Sequence, residues 1–140
     1  MTRDLIRQAR QGKALPFALT YDDVMIGQVT VTGITWGSAR WGQIGYWIDE
    51  RHAGKGIMPV AVALATDHCL RSVGLHRIEI AIRPENSASL RVVEKLGFTQ
   101  IGTAPRYLHI NGQWRDHLLF AITAEEAPQG LLSRVLEARS

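Results

Sequence analysis

The sequence predicts an α/β (α+β) domain in which helices flank a central, mixed but mostly antiparallel sheet. Three observations lead to this class: alternating strand-like segments in the first fifty residues, one strand–helix–strand crossover, and a strong hairpin signal near the end. The 140 residues are 46% hydrophobic and 21% charged, which is ordinary for one soluble globular domain. A single cysteine, Cys69, cannot form an internal disulfide, and this favours a reducing cytoplasmic location.

The first half of the chain is predicted to form a helix followed by an antiparallel meander. Residues 2–11 carry a narrow apolar stripe among charges, which indicates a helix ending at Gly12. Strand composition follows over residues 14–20, 24–32 and 43–49. Turn-forming residues at 21–23 and 37–38 separate these segments, so consecutive strands are expected to pair.

The second half alternates helices and strands. A helix over residues 58–73 is predicted because Pro59 is tolerated only in a first turn and Gly74 is a natural stop. A strand over 76–83, a helix over 87–96, and strands over 98–110 and 114–123 follow, with Asn111-Gly112 as the hairpin turn. The crossover between residues 43 and 83 makes one strand pair parallel. The domain is expected to end at residue 124, with 125–140 as a loosely attached tail.

Charge and hydropathy exclude several classes of protein. Sixteen Lys and Arg against thirteen Asp and Glu leave a formal charge of +3, and the basic residues are scattered without a run typical of nucleic-acid or membrane binding. No apolar stretch is long enough for a membrane helix, and the N-terminus lacks the apolar core of a secretory signal. We therefore expect no nucleic-acid partner and no membrane partner. No metal is expected, because no ligand spacing is present.

The most informative segment runs from Gly45 to Pro59, where a strand ends in a glycine loop that opens a helix. A helix N-terminus presents unpaired N–H groups and partial positive charge, and glycines let an anion approach the backbone, so the loop suits a pyrophosphate. It is not a P-loop, because Asp49 replaces the first glycine and Gly56 replaces the Ser or Thr. The Rossmann fingerprint also fails, since only two of its three glycines are present.

The loop is Arg51-x-x-Gly54-x-Gly56, and it is followed by Asn86 and then by Gly97-Phe98. This ordered set resembles the GNAT N-acetyltransferase superfamily and, more narrowly, its RimJ/RimL-type ribosomal-protein N-terminal alanine and serine acetyltransferases. The narrower likeness also rests on three further segments, residues 45–49, 74–79 and 107–117. The resemblance covers residues 15–124. The alternative for the loop alone is a turn that merely joins a strand to a buried helix.

The resemblance implies the GNAT fold and acetyl-CoA as acyl donor. It implies that the loop holds the pyrophosphate of the coenzyme, that Trp47 and Ile48 pair with the pantetheine arm as a pseudo-strand, and that Asn86 contacts the pantetheine from the other side. The coenzyme-binding residues implied in this way are Trp47, Ile48, Asp49, Arg51, Ala53, Gly54, Lys55, Gly56, Ile57, Asn86 and Ser89.

The reaction implied is direct attack of an amine on the thioester, with a backbone N–H near Ile48 as the oxyanion donor. An N-terminal α-amine has a pKa near 8, so part of it is neutral at pH 7 and a strong base is dispensable. Many family members protonate the leaving thiolate with a tyrosine seven residues after the asparagine, where this chain has Val93. RimL-type relatives have a serine where Ser89 stands, which makes Ser89 the candidate proton donor or thiol contact. The alternative is an ordinary first-turn serine.

The general base is less clear, because Ala81 stands where RimI-type relatives have glutamate. Glu79 is the candidate on the same strand face, and the alternative is a cross-strand ion pair. Tyr107 is the third catalytic candidate, through a water relay at the final hairpin. Other hairpin side chains considered for the same role, or for simple hairpin hydrogen bonding, are His109, Asp116 and His117. Tyr46 and Trp47 are expected to pack within the strand, and Cys69 within the core.

The chain departs from the family at its start, since relatives begin with a further strand and helices before the segment matching residues 14–20. Either the domain is shortened, or a second subunit of a homodimer covers the exposed sheet edge. The predicted function is acetyl transfer to a protein N-terminal α-amine. The alternatives are a small-molecule amine acetyltransferase, a catalytically poor acyl-CoA-binding module, and a purely structural protein.

Overall fold

The computed structural model describes residues 14–139 and contains a six-stranded sheet with the order β1-β2-β3-β4-β6-β5. The strands are β1 Leu15–Tyr21, β2 Val24–Thr35, β3 Trp41–Ile48, β4 Arg77–Ile82, β5 Thr99–Ile110 and β6 Gln113–Thr123. The helices are α1 Ile57–Asp67, α2 Ser87–Leu96 and α3 Leu132–Arg139. The helix predicted over residues 2–11 lies outside the described residues.

The strand pairing confirms the predicted mixed sheet. β3 and β4 run parallel, and every other neighbouring pair is antiparallel. The long helix continues from α1 through a π-helical segment, His68–Val73, and stops at Gly74, which has a φ of 91°. The hairpin turn has positive φ at Asn111 (50°) and Gly112 (82°), as the predicted primed turn requires.

The hydrophobic core lies between the helices and one face of the sheet. Along β4, Ile78, Ile80 and Ile82 are at most 3% exposed, whereas the alternating residues on the other face are partly exposed. The core side chains of the sheet pack with Val62 of α1 and Leu96 of α2. This alternation gives the sheet a helix-covered face and an opposite face, and the two faces carry different parts of the candidate site.

The segment after residue 124 is not loosely attached, so that prediction was wrong for residues 125–139. Leu131 and Val135 are fully buried in the core. The carboxylate of Asp67 accepts hydrogen bonds from the backbone N–H groups of Leu131 and Leu132, and Arg134 donates to the carbonyl of Leu96. The partners lie far apart in sequence, and for this reason the local pattern did not indicate the attachment.

Within residues 14–139, no helix combines the length and apolar character needed to cross a membrane. The same residues contain no group of three or more His, Cys, Asp or Glu side chains arranged to hold a metal ion.

Candidate active site

A gap opens in the middle of the sheet, between β3 and β4. The two strands pair only from Trp41 with Arg77 to Gln43 with Glu79. Beyond that point β3 stays paired with β2 as far as Ile48, and β4 stays paired with β6 as far as Ile82. The strands therefore part while each keeps its outer neighbour, and no described strand pairs with the inner edge of the C-terminal half of β3.

The backbone groups on this edge belong to Tyr46 and Ile48. The N–H of Asp49 donates to the carbonyl of Ile26 at 2.6 Å, which places Trp47 in a hydrogen-bonded pair with Gln28. Because the direction of backbone N–H groups alternates along a strand, those of Tyr46 and Ile48 point away from β2 and into the gap. The N–H of Trp47 faces β2, so of the two residues predicted to pair with the pantetheine only Ile48 directs its N–H into the gap.

A cavity of about 470 Å³ adjoins this edge. It is bounded by the end of β3, the glycine loop with the start of α1, and the exposed side of α2. The predicted coenzyme-binding residues that line it are Trp47, Ile48, Ala53, Gly54, Gly56, Ile57 and Ser89. The remaining lining residues are Tyr46, His52, Met58, Pro59, Ala88, Arg91, Val92 and Lys95.

The glycine loop has the backbone geometry that only glycine adopts readily. Gly54 and Gly56 have φ values of 75° and 78°, and a Cβ added at Gly54 would meet no atom within 4 Å. Gly56 is the N-cap of α1 and has no side chain with which to accept from the N–H groups of the first turn. The loop therefore offers an open approach to a helix N-terminus, which suits an anion.

Three predicted coenzyme-binding residues, Asp49, Arg51 and Lys55, lie beside this cavity instead of lining it. They line a second cavity, also of about 470 Å³, together with Tyr21 and His52. The Asp49 carboxylate accepts from the backbone N–H of Arg51 at 2.9 Å and from its guanidinium at 2.9 and 3.2 Å. These hydrogen bonds from Arg51 lower the pKa of Asp49 to about 2, so the pair is fully ionised at neutral pH.

Asn86 and Ser89 form the start of α2. The side-chain oxygen of Asn86 accepts from the backbone N–H of Ser89 at 3.2 Å, so Asn86 is the N-cap of the helix. Ser89 is only 9% exposed and lines the first cavity. The capping role that was the alternative for Ser89 is performed by Asn86.

Tyr46 is a site residue that the sequence analysis missed, since it was assigned to strand packing. Its side chain lines the cavity and its hydroxyl is buried without a hydrogen-bond partner among the described residues. Burial raises the pKa of Tyr46, and the neighbouring Ser89 side chain opposes that shift to a smaller extent. Residues 44, 46 and 48 share the helix-covered face, so a phenol at position 46 of an otherwise aliphatic row was the available signal.

The other two catalytic candidates, Glu79 and Tyr107, are on the opposite face of the sheet from Ser89. Gln43 is in register with Glu79, and its amide donates to the Tyr107 hydroxyl at 3.3 Å. The Glu79 carboxylate accepts from Arg77 at 2.7 Å, so its ion pair joins two residues of one strand and does not cross between strands. The structure thus separates the predicted catalytic residues, with Ser89 on one side of the gap and the other two on the far side.

The remaining hairpin candidates make contacts within the hairpin. Asp116 accepts from the backbone N–H of Arg106, which has a φ of 48° at the irregularity in β5. His117 is 3% exposed and its Nδ1 lies 3.0 Å from the carbonyl oxygen of Arg115. His109 stacks edge-on against Trp114. These contacts give the hairpin its shape.

Comparison with known proteins identifies the family. Residues 1–99 match the family model described as the acetyltransferase (GNAT) domain. The chain belongs to the GNAT acetyltransferase family. It is 45% identical over 101 residues to the probable N-acetyltransferase YjcK of Bacillus subtilis, covering 72% of this chain and 56% of that protein. It is 36% identical over 123 residues to the ribosomal protein uS5 alanine N-acetyltransferase of Escherichia coli, covering 86% and 63%.

A solved GNAT structure supports the fold in detail. Mycobacterium smegmatis RimJ in complex with a CoA-disulfide superposes with a TM-score of 0.93 at 45% identity, covering 97% of this chain and 65% of that one. The chain therefore spans between 56% and 65% of the length of these relatives. The expected GNAT fold is confirmed.

Proposed function

We propose that this GNAT chain binds acetyl-CoA in the cavity between β3, the glycine loop and α2, and transfers the acetyl group to a protein N-terminal α-amine. The observation that carries the proposal is the gap beside Tyr46 and Ile48, with a helix N-terminus at one end of the adjoining cavity. An extended amide-bearing chain fits such an edge, because it can accept from the free backbone N–H groups as a strand would. The similar Mycobacterium smegmatis RimJ is in complex with a CoA-disulfide, which supports a coenzyme A derivative as the ligand class.

Different residues of the site contact different parts of the coenzyme. Ala53, Gly54, Lys55, Gly56 and Ile57 hold the pyrophosphate at the start of α1, where the helix dipole and the N–H groups of the first turn favour negative charge. The ion pair of Asp49 and Arg51 fixes the short turn that precedes this loop. The pantetheine runs along the backbone of Tyr46 and Ile48, with Trp47 and Ser89 lining the cavity. Asn86 does not line the cavity, and it acts through its cap of α2 at Ser89.

The residues at the gap supply the chemistry by position and polarity. The backbone N–H of Ile48 stabilises the oxyanion that develops on the acetyl carbonyl. Glu79 keeps its ion pair with Arg77, and the neutral fraction of an α-amine with a pKa near 8 attacks without a strong base. Holding the amine against the thioester supplies much of the remaining rate.

The acceptor approaches from the face of the sheet that carries Gln43 and Tyr107, opposite the coenzyme cavity. The Tyr107 hydroxyl forms a hydrogen bond with the incoming chain, either as donor or as acceptor. We assign no proton transfer to it. An N-terminal α-amine is favoured over other amines because the uS5 alanine acetyltransferase is 36% identical over 86% of this chain. A spermidine N(1)-acetyltransferase of Escherichia coli is more distant, at 29% over 54%.

Calorimetric titration with acetyl-CoA tests the binding step. Gly54→Trp should abolish binding, because the indole would fill the approach to the loop. Gly37→Trp is the matched control: Gly37 also has positive φ (78°) and open space around its Cβ, but it lies in the turn between β2 and β3, far from the loop. Loss of binding in both variants, or in neither, would contradict the assigned site.

Release of free thiol tests the transfer step. Peptides that begin with alanine or serine should release coenzyme A, and the same peptides with an acetylated N-terminus should not. Spermidine is included in the panel. Turnover with spermidine but not with peptides would establish the small-amine alternative, and tight binding without turnover for any amine would establish the binding-module alternative.

A further inference from the structure

We propose that the Tyr46 hydroxyl is the group that protonates the sulfur of the departing coenzyme A thiolate. The inference rests on the proposed acetyl transfer and assigns a residue to a step that neither the loop nor the gap explains. Ser89, which lines the same cavity, is then not the proton donor.

The placement of Tyr46 is the first support. It lies on the part of β3 that borders the gap, and its backbone N–H points into the gap while its side chain lies on the helix-covered face. The ring lines the same cavity as Ser89 in the first turn of α2. The phenol thus lies on the coenzyme side of the opening through which the acetyl group must face the amine.

The missing hydrogen bond of Tyr46 is the second support. A buried hydroxyl without a partner costs free energy, and most such groups in native proteins are satisfied. Three buried side-chain atoms in the described part of the chain lack a partner, namely Tyr46 Oη, Thr66 Oγ1 and Arg115 Nε. Of these three residues, Tyr46 alone lines the cavity. A ligand atom in the cavity would satisfy it.

The acidity of the candidates is the third support. Besides Tyr46, the titratable and charged groups that line the cavity are His52 from the loop and Arg91 and Lys95 from α2. Arg91 and Lys95 are exposed, and an arginine does not give up its proton at neutral pH. An aliphatic hydroxyl such as that of Ser89 is a far weaker acid than a phenol. Position 93 on α2 offers no hydroxyl, since Val93 is 1% exposed in the core.

The proton balance of the step is complete. The amine nitrogen forms a bond to the acetyl carbon, and the carbon–sulfur bond breaks with its electron pair remaining on sulfur. The sulfur takes the proton of Tyr46. The nitrogen, which attacked as a neutral amine, loses one proton to solvent, and Tyr46 regains one from solvent. The sum is one amine and one thioester converted into one amide and one thiol.

Tyr46→Phe is the main test, measured beside the wild-type chain in the calorimetric and thiol-release assays. We expect kcat to fall by about 100-fold or more, the usual contribution of a general acid. The Kd for acetyl-CoA should stay within about twofold, because the ring and the backbone N–H are kept. Tm should not fall, since the hydroxyl has no hydrogen-bond partner among residues 14–139. Thr66→Val removes another buried, unpartnered hydroxyl outside the cavity and should leave kcat unchanged.

A second readout does not depend on turnover. The thiol of bound coenzyme A is titrated by its thiolate absorbance in the wild type and in Tyr46→Phe. A phenol that donates to the sulfur stabilises the thiolate, so the thiol pKa should be lower in the wild-type complex. The alkaline limb of the kcat profile should be present in the wild type and lost in Tyr46→Phe.

The outcomes separate this inference from the function on which it rests. If the wild-type chain neither binds nor acetylates, the proposed function fails and the inference fails with it. If the wild-type chain is active and Tyr46→Phe retains its kcat, the inference alone is overturned. A variant that loses only affinity for acetyl-CoA, with the bound thiol pKa unchanged, would make Tyr46 a binding residue and would also overturn it.

Discussion

The carboxylate of Asp67, at the end of α1, accepts a hydrogen bond from the backbone N–H of Leu131 at 2.6 Å across 64 residues of sequence. Its second oxygen accepts from Leu132 at 3.1 Å, so one side chain caps the start of α3. Gly130 has a φ of 85°, and an added Cβ would lie 2.9 Å from the same carboxylate. The last helix is thus attached at a close, specific junction.

Asp67→Ala should lower the free energy of unfolding by about 1–2 kcal/mol, because it removes a capping acceptor from two partly buried N–H groups. Urea denaturation measures the change. Glu94→Ala, which removes an exposed carboxylate from α2, is the control and should change stability by less than about 0.5 kcal/mol. Equal effects of the two substitutions would show that the junction contributes nothing specific.

Gly27 is predicted to be essential for the approach of β2 to β3 beside the candidate site. A Cβ at this position would lie 2.6 Å from the carbonyl oxygen of Trp47 and 3.1 Å from Cα of Ile48. Gly27→Ala should therefore destabilise the fold by about 1–3 kcal/mol and shift the edge of β3, which weakens acetyl-CoA binding. Gly45→Ala is the matched control on β3, since its Cβ would meet nothing within 4 Å. Unfolding measurements on both variants give the change in stability, and calorimetric titrations give the change in affinity for acetyl-CoA.

The pair of Asp49 and Arg51 should contribute stability that depends on pH. The pKa of Asp49 is lowered from 3.8 to about 2, mainly by hydrogen bonds from Arg51. A carboxyl whose pKa is lower in the folded state stabilises fully above its unfolded pKa and loses that contribution as pH falls through its folded pKa. The stability difference between wild type and Asp49→Asn should therefore be constant near neutrality and close between pH 3.8 and about 2.

Carboxyl-carbon NMR titration gives a direct check of this pair. Arg51→Gln should raise the Asp49 midpoint from about 2 towards 3.8, because the guanidinium hydrogen bonds are lost. A midpoint that stays near 2 in Arg51→Gln would assign the shift to another cause.

Cys69 is predicted to be inert in the folded protein. Its side chain is fully buried, and burial raises the pKa of the thiol to about 11. Since the thiolate is the reactive form, modification at neutral pH should occur only on unfolding. Labelling with a chromogenic disulfide in native buffer and in urea measures this. Rapid labelling of the native protein would contradict the burial and would also interfere with thiol-release assays.

The elements that the sequence predicted well are those whose signals are local. Helix α2 was predicted with its observed bounds; in the structure Asn86 caps one end and Gly97, with a φ of 84°, ends the other. The parallel crossover followed from the order of strand and helix patterns. Such signals lie within a few residues of the feature that they specify.

The features that the sequence did not predict depend on distant partners. The attachment of α3 needs Asp67, which is separated from it by the whole second half of the sheet. The role argued for Tyr46 depends on its hydroxyl being buried beside the cavity with no hydrogen-bond partner in the described part of the chain. The separation of Glu79 from Ser89 arises from alternation along β4 combined with the side of the sheet on which α2 packs. None of these relations appears in a local pattern.

Where β3 and β4 separate, their facing edges are not paired with each other. β3 stays paired with β2, and β4 stays paired with β6. Acetyl-CoA bound in this gap would accept hydrogen bonds from backbone N–H groups that β3 and β4 do not use with each other. Binding then raises the free energy of unfolding by linkage, by an amount that grows with the logarithm of the acetyl-CoA concentration divided by its Kd. The two halves of the sheet should move relative to each other when acetyl-CoA is absent and should move together when it is bound. Hydrogen exchange of the backbone amides of Tyr46 and Ile48 would report how often the two halves of the sheet separate at the gap between β3 and β4.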